Sequence, residues 1–394
     1  MKKKTKRLTY AMVGGARGSF IGPIHRMAIR MDNLADLVAG CFSRDSKVNA
    51  VSGEKLQLDP TRVYSDWRKL IAAEADRLDF LVVCTTNETH YPVAKAALEA
   101  GLDVFCEKPL SLTVKEAEEL GRIAKRKRLI LGIPFTYTGY PMVKLARDLV
   151  KKGELGKIDK VVLEYVQGSF RKIDFTKPLD KRNAWKMNPK VSGPSCVVAD
   201  IGVHAFTMIE YVTGLEAKTL LADLSSFAPG NRLDDDASIL MRLGGRSSAS
   251  FTRSRTAKGS SSSAKASLVV SKVATGEENG VRLRVYGDKA SLYWDQETPN
   301  YLSVKYPLKP EMTFKRKAPY MADLSEGAQR ASRFPAGHHE GFVEALGNIY
   351  DEFVAAVVSR KARDFPDARA GIRSMRFVEA ALKSAKSGNR WTKL

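Results

Sequence analysis

Leu8-Thr-Tyr-Ala-Met-Val-Gly-Gly-Ala-Arg-Gly-Ser-Phe-Ile-Gly22 is the stretch on which the fold turns. An apolar run of strand length breaks into glycines, and Pro23 and a helical pattern follow. In a dinucleotide-binding fold, glycines at this point make a tight turn and let the backbone approach a pyrophosphate at a helix N-terminus. The candidate contacts are Gly14, Gly15, Ala16, Gly18, Phe20 and Ile21. Strict G-x-G-x-x-G is absent, because Ala16 stands where the second glycine belongs and the loop is extended. Taken alone, the segment is equally a structural turn. Its place between a first strand and a helix is what gives it weight.

Outward from that loop, residues 8 to about 134 alternate short apolar runs with helical patterns, the mark of a parallel α/β sheet. Leu8–Gly14, Leu37–Phe42, Phe80–Cys84, Val104–Cys106 and Leu129–Ile133 read as strands. Ile24–Met31, Ser65–Ala73, Tyr91–Ala100 and Val114–Lys125 read as helices. Thr113 and Glu116 have capping-box spacing, and Gly101 suits a left-handed helix end. The rhythm changes after Pro134. Helices are expected over Tyr140–Lys152, Asp200–Val212, Gly341–Ser359 and Ala368–Lys386, and a half-buried strand over Lys160–Gly168. Lys218 to Phe314 carries many short strand candidates, which predicts a mostly antiparallel sheet. Ser260–Ser263 reads as a flexible loop. The fold class is thus α/β, a doubly wound parallel sheet followed by an α+β domain with a large open sheet. Residues 1–135 form the dinucleotide-binding domain and 136–394 the substrate-binding and oligomerisation domain, whose C-terminal helices can pack back on the first.

A length of 394 residues calls for two domains. With 44% hydrophobic and 28% charged residues the balance is globular. No apolar run reaches the roughly 18 residues of a membrane span, and the run after Met1–Arg7 is too short for a secretory signal. A cytoplasmic protein with a short solvated tail is expected. Cys41, Cys84, Cys106 and Cys196 lie far apart, and neither a disulfide framework nor a metal site is indicated. The formal net charge is +21, of which the tail supplies five. The remainder is scattered apart from Lys125–Arg128, where a helix end favours cations. Nucleic-acid binding would require a basic stripe with interleaved aromatics, and none is present. The charge suits anionic cofactors or substrates.

Three further segments carry chemistry. The second strand ends at Ser43-Arg44, where an acidic residue would take the adenosine ribose hydroxyls and favour NAD. A serine–arginine pair can accept a 2′-phosphate, and Arg44 can equally stack on adenine, so NAD and NADP both stay open. Thr85, Thr86, Asn87 and His90 follow one strand, and Glu107, Lys108 and Pro109 follow the next, at the ends where open α/β sheets bind ligands. Asp200 and His204 are four residues apart, a spacing that puts carboxylate and imidazole on one helix face. Histidine suits proton transfer near neutral pH. Asp200 as a helix cap and His204 as a core histidine fit the same spacing.

Together these segments resemble the Gfo/Idh/MocA dehydrogenases, named for glucose–fructose oxidoreductase and inositol dehydrogenase, over nearly the whole chain. The most specific marks are Glu107-Lys-Pro-Leu-Ser111 and Asp200-Ile-Gly-Val-His204, in order and spacing. Thr85–His90, Gly153-Glu-Leu-Gly-Lys157 and Val285-Tyr-Gly-Asp-Lys-Ala-Ser291 support them, and the Gly14–Gly22 loop and Pro335–Gly341 resemble a poorly characterised branch. The resemblance implies an NAD(P)-dependent oxidoreductase that moves a hydride between nicotinamide and a carbinol or keto carbon of a sugar, sugar derivative or cyclitol. Lys108 would then hold the substrate oxygen, His204 would be the general base, and Asp200 would orient His204 or bind a neighbouring hydroxyl. Which of Lys108 and His204 takes the proton stays open, because their titrations couple. Trp185-Lys186 matches a Trp-Arg of the family, and Tyr137 and Tyr140 match aromatics near its cleft. Thr86 replaces a usual proline. His338 could reach the cleft from its late loop, though it also reads as a surface histidine. The same residues suit a glycoside-cleaving enzyme that oxidises transiently, and a non-catalytic NAD(P)-binding sensor is the remaining alternative. An open antiparallel sheet of this kind, by the same resemblance, implies a homodimer or homotetramer.

Overall fold

Strands buried on both faces need continuous apolar runs, and the first third of the chain supplies five of them. The computed structural model describes residues 7–180, 184–245 and 263–394. In it the runs form β1 (Leu8–Gly14), β2 (Ala35–Cys41), β3 (Phe80–Cys84), β4 (Asp103–Cys106) and β5 (Leu131–Gly132). The sheet is parallel, in the order β2-β1-β3-β4-β5, and β3 and β4 are buried at every position. Between the strands lie α1 (Ile21–Met31), α2 (Ser46–Lys55), α3 (Trp67–Glu74), α4 (Asn87–Glu99) and α5 (Val114–Lys127). The expected capping box opens α5, with Thr113 Oγ1 accepting from Glu116 N and Glu116 Oε2 accepting from Thr113 N. Its last turn holds Lys125, Arg126 and Lys127. Gly101, at φ +92°, follows α4 as its pattern requires. One helix is a correction: α2 has no expectation behind it. It starts because the Asp45 carboxylate accepts from the backbone N–H of Lys47 and Val48, not because of any apolar stripe.

The chain divides into two units. The first takes residues up to Gly139 with Asn188–Pro194 and Gly341–Met375, and the second takes Tyr140–Met187, Ser195–Glu340 and Arg376–Leu394. Inside the first unit, the late helix Phe342–Ser359 supplies Leu346, Ile349, Tyr350 and Phe353 to the core of the parallel sheet. Phe105 stacks on Tyr350 at 4.2 Å and meets Phe353 edge-on at 5.0 Å. Such pairs contribute about 0.5–1.5 kcal/mol each beyond their buried area.

Inside the second unit, α6 (Pro141–Lys151) and the helix Val203–Thr213 accompany a nine-stranded sheet. Its strands are β6 (Ile158–Val166), β7 (Glu216–Ser225), β8 (Asp236–Gly244), β9 (Ala264–Ser271), β10 (Gly280–Gly287), β11 (Ser291–Asp295), β12 (Tyr301–Tyr306), β13 (Lys309–Lys315) and β14 (Thr392–Lys393). They run in the order β13-β12-β11-β10-β6-β9-β8-β7-β14, antiparallel except where β6 pairs with β9. Ala237, Ile239, Met241 and Leu243 of β8 are buried while the residues between them are more exposed, the alternation of a sheet with one covered face. The loop expected at Ser260–Ser263 and the basic tail lie, but for Ser263 and Arg7, outside the described residues. Among the described residues no helix is long and apolar enough to cross a membrane.

Candidate active site

The strand order of the parallel sheet reverses between β1 and β3, and open α/β sheets take ligands beyond the carboxyl ends of such strands. The glycine loop stands there. Gly14 has φ +87°, and a Cβ on it would come within 2.3 Å of the Cys84 carbonyl oxygen. A Cβ on Gly22, in the first turn of α1, would come within 2.4 Å of Gly15 Cα. Strand, turn and helix therefore close on one another only if both are glycine. Gly18, at φ +86°, has open space around it, so backbone conformation alone demands glycine there. The loop is tied down at three points: Arg17 N donates to Ser52 Oγ of α2, Arg26 Nη1 to Gly15 O, and Gly22 N to Ser19 Oγ. Phe20, at the start of α1, is 65% exposed and has no capping group of its own, and Ser19 Oγ serves the N–H of Gly22. A glycine turn this close to a helix N-terminus fits a dinucleotide pyrophosphate.

Ser43 is half-buried and Arg44 exposed just beyond β2. Ser43 Oγ accepts from Asp45 N at 3.1 Å. The Thr85–His90 segment becomes the start of α4, with Thr89 Oγ1 donating to Thr85 Oγ1 and Asn87 Nδ2 to Ser192 O. His90 is buried between two backbone carbonyls, with Nδ1 2.8 Å from Pro109 O and Nε2 3.2 Å from Thr85 O. Burial drives its pKa below the ordinary histidine range despite both contacts. It therefore braces the turns after β3 and β4 from beneath.

Glu107 and Lys108 follow β4, and the Lys108–Pro109 bond is cis. Glu107 is buried, Lys108 half-buried. One Glu107 oxygen receives His25 Nε2 at 2.8 Å and the other receives Lys108 N at 3.0 Å. Burial pushes the Glu107 carboxyl up, but the His25 hydrogen bond and charge, with Lys108 and His90, outweigh it and hold the group below the usual glutamate range. His25 Nδ1 in turn meets Tyr350 Oη at 2.6 Å. Tyr137 is buried in this unit, its ring 6.3 Å from that of Phe342.

The second unit holds Trp185, Lys186, Asp200 and His204. Trp185 and Lys186 are half-buried, the Lys186 ammonium 5.9 Å from the Trp185 ring. Asp200 does not lie on a regular α-helix. Val198–Gly202 is a π-helical turn, and the α-helix starts at Val203. The expected single α-helical face for Asp200 and His204 is corrected accordingly. The Asp234 carboxylate holds the start of this turn, gathering Ser195 Oγ, Cys196 N and Val198 N at 2.8, 2.8 and 3.0 Å. Asp200 Oδ2 is 2.5 Å from Lys272 Nζ. His204 is buried, its ring 6.5 Å from that of Tyr165 on β6. Tyr140 is buried against Trp294 at 5.3 Å. His338 is exposed.

Sequence reading passes over His25, Arg26, Ser52, Lys272, Asp234 and Tyr350. Histidine scarcity, with five in the chain, was a usable signal for His25 on an amphipathic helix. Lys272 after an apolar strand offers none.

Residues 8–135 match the family model described as an oxidoreductase family with an NAD-binding Rossmann fold, and residues 147–394 match its C-terminal alpha/beta domain. The chain is 33% identical over 402 residues to the uncharacterized oxidoreductase YfiI of Bacillus subtilis (strain 168), covering 98% of this chain and 97% of that protein. The structure of an inositol dehydrogenase homolog from Azotobacter vinelandii complexed with NAD+ matches with a TM-score of 0.89 at 33% identity, covering 99% of this chain and 98% of that one. The same homolog complexed with NADH and myo-inositol matches with a TM-score of 0.86 at 33% identity and the same coverage.

Proposed function

The chain belongs to the Gfo/Idh/MocA family of oxidoreductases, with an NAD-binding Rossmann domain, and from that premise we propose that it is a dehydrogenase or keto-reductase acting on a carbinol or keto carbon of a sugar, sugar derivative or cyclitol. The observation that carries the reading is the placement of Lys108, whose backbone is pinned by the buried Glu107 just beyond β4, at the end of the sheet where ligands bind. A relative complexed with NADH and myo-inositol supports the polyhydroxylated substrate class.

Bound NAD supplies the hydride acceptor for oxidation, and NADH the donor for reduction. The Gly14–Gly22 loop, with Thr85, Thr86, Asn87 and the turn at Glu107–Pro109, holds the dinucleotide, and Ser43 and Arg44 take its adenosine end. Lys108 donates to the reacting oxygen and stabilises negative charge as it develops there. His204 takes the hydroxyl proton at an imidazole nitrogen in oxidation and returns it in reduction. Asp200 accepts from His204 or from a neighbouring hydroxyl. Tyr137, Trp185 and Lys186 contact the substrate.

The test is nicotinamide absorbance during turnover of a polyol and keto-sugar panel that starts with myo-inositol. Net NAD reduction by a polyol is the expected result. No turnover across the panel with cofactor bound contradicts the reading, and aglycone release from a glycoside without net NADH replaces it with transient oxidation.

A further inference from the structure

Lys272 follows β9 directly, and its side chain is 3% exposed while that of Asp200 is 34% exposed. Its Nζ lies 2.5 Å from Asp200 Oδ2, 3.9 Å from Cys196 Sγ and 5.0 Å from the centre of the Phe170 ring. A buried ammonium persists where a carboxylate compensates it. The two partners are also held by one dipeptide. The Asp234 side chain fixes the turn that carries Asp200, and the Asp235 carbonyl accepts from Lys272 N at 2.8 Å. Asp235 is itself fixed, since its carboxylate receives Phe227 N, Ala228 N and Asn231 Nδ2. Lysine and aspartate therefore meet on a preformed frame, with the ammonium turned inward and the carboxylate toward solvent.

We propose that Lys272 is a positioning residue for the reaction: its ammonium holds Asp200 as an oriented carboxylate, which accepts a hydrogen bond from His204 or a substrate hydroxyl and never serves as the acid. The inference rests on the function proposed above for Asp200. Burial works against the charged lysine, yet Asp200, Cys196 and Asp234 outweigh it and keep Lys272 above the ordinary lysine range. The charged and titratable groups facing the lysine are thus Asp200 and Cys196 before the helix Val203–Thr213 and Asp234 before β8. An ammonium this close favours the ionised carboxylate. A general acid at this site must accordingly be another group.

The test labels the aspartate carboxyl carbons with 13C in the full chain and assigns the Asp200 signal by its loss in Asp200→Asn. In the wild-type protein the signal stays that of a carboxylate to lower pH than an exposed aspartate does. In Lys272→Met its titration moves to higher pH and kcat falls roughly ten- to a hundred-fold, most strongly at the acid end of the profile, whereas Lys272→Arg restores both. An Asp200 that titrates like an exposed aspartate in the wild-type protein overturns the inference, and that result needs no folded Lys272 variant. An unshifted titration in folded Lys272→Met overturns it equally. If the titration behaves as expected while Asp200→Asn keeps full turnover, the charge-setting role of Lys272 stands and the function proposed for Asp200 falls.

Discussion

His25 Nε2 lies 2.8 Å from Glu107 Oε1, with both residues buried, and this pair connects the first helix of the chain to the turn that carries Lys108. His25 Nε2 faces the Glu107 carboxylate, and Nδ1 meets the Tyr350 hydroxyl oxygen at 2.6 Å on the other side of the ring. The other Glu107 oxygen is then left to fix Lys108 N.

His25→Ala strands a buried carboxylate and should lower the unfolding free energy by about 3–5 kcal/mol, read by urea denaturation. Tyr350→Phe removes one hydrogen bond and should lower it by about 1–2 kcal/mol. Equal losses in the two variants would contradict the network as described.

His90 predicts a pH dependence. Its folded pKa is depressed by burial, so below the unfolded value of about 6.5 the unfolded chain binds a proton that the folded chain refuses. The stability contributed is complete above that pH and is lost as pH falls through the folded pKa. Urea midpoints should therefore drop between about pH 7.5 and pH 5, and His90→Asn should flatten that slope. A slope identical in the variant would show that other groups cause it.

How much of this was legible in the sequence varies by element, for physical reasons. β3 is bounded by Asp79 and Thr85, and β1 by Arg7 and Gly15, so the ends of both are readable. Helix α2, Ser46-Lys-Val-Asn-Ala-Val-Ser-Gly-Glu-Lys55, has no apolar stripe and a glycine near its end, so only its Asp45 cap betrays it. Lys108, Asp200 and His204 are readable as residues, but the π-helical turn that contains Asp200 is held at its start by Asp234, 34 positions further on. Tyr350 reaches His25 across 325 positions, a contact that tertiary packing creates and no local spacing encodes.

Arg44 tests cofactor choice. It is exposed beside Asp45, whose carboxylate disfavours a 2′-phosphate nearby, and the matched family domain is an NAD-binding one. NAD should bind more tightly than NADP, and Arg44→Ala should weaken both by similar, several-fold factors in a fluorescence titration. A loss confined to NADP would assign the guanidinium to the 2′-phosphate instead.

Assembly follows from the nine-stranded sheet. Leu240 and Val269 are exposed on the face opposite its buried rows, where Glu164 and Arg282 pair at 3.5 Å. We expect a homodimer or homotetramer through that face. Light scattering that returns the 43.5 kDa monomer mass at micromolar concentrations would rule this out.

The most direct measurement is steady-state turnover by Lys108→Ala, His204→Ala and the double variant, with NAD affinity measured on the same preparations. Loss of general acid–base action costs roughly 10²–10⁴-fold in rate. Each single variant should lose kcat on that scale with NAD affinity nearly unchanged, and the double variant should lose less than the product of the two, because both residues serve one step. Near-wild-type turnover in either single variant, or losses matched by a fall in melting temperature and in NAD binding, would contradict the assignment of that residue to the chemistry.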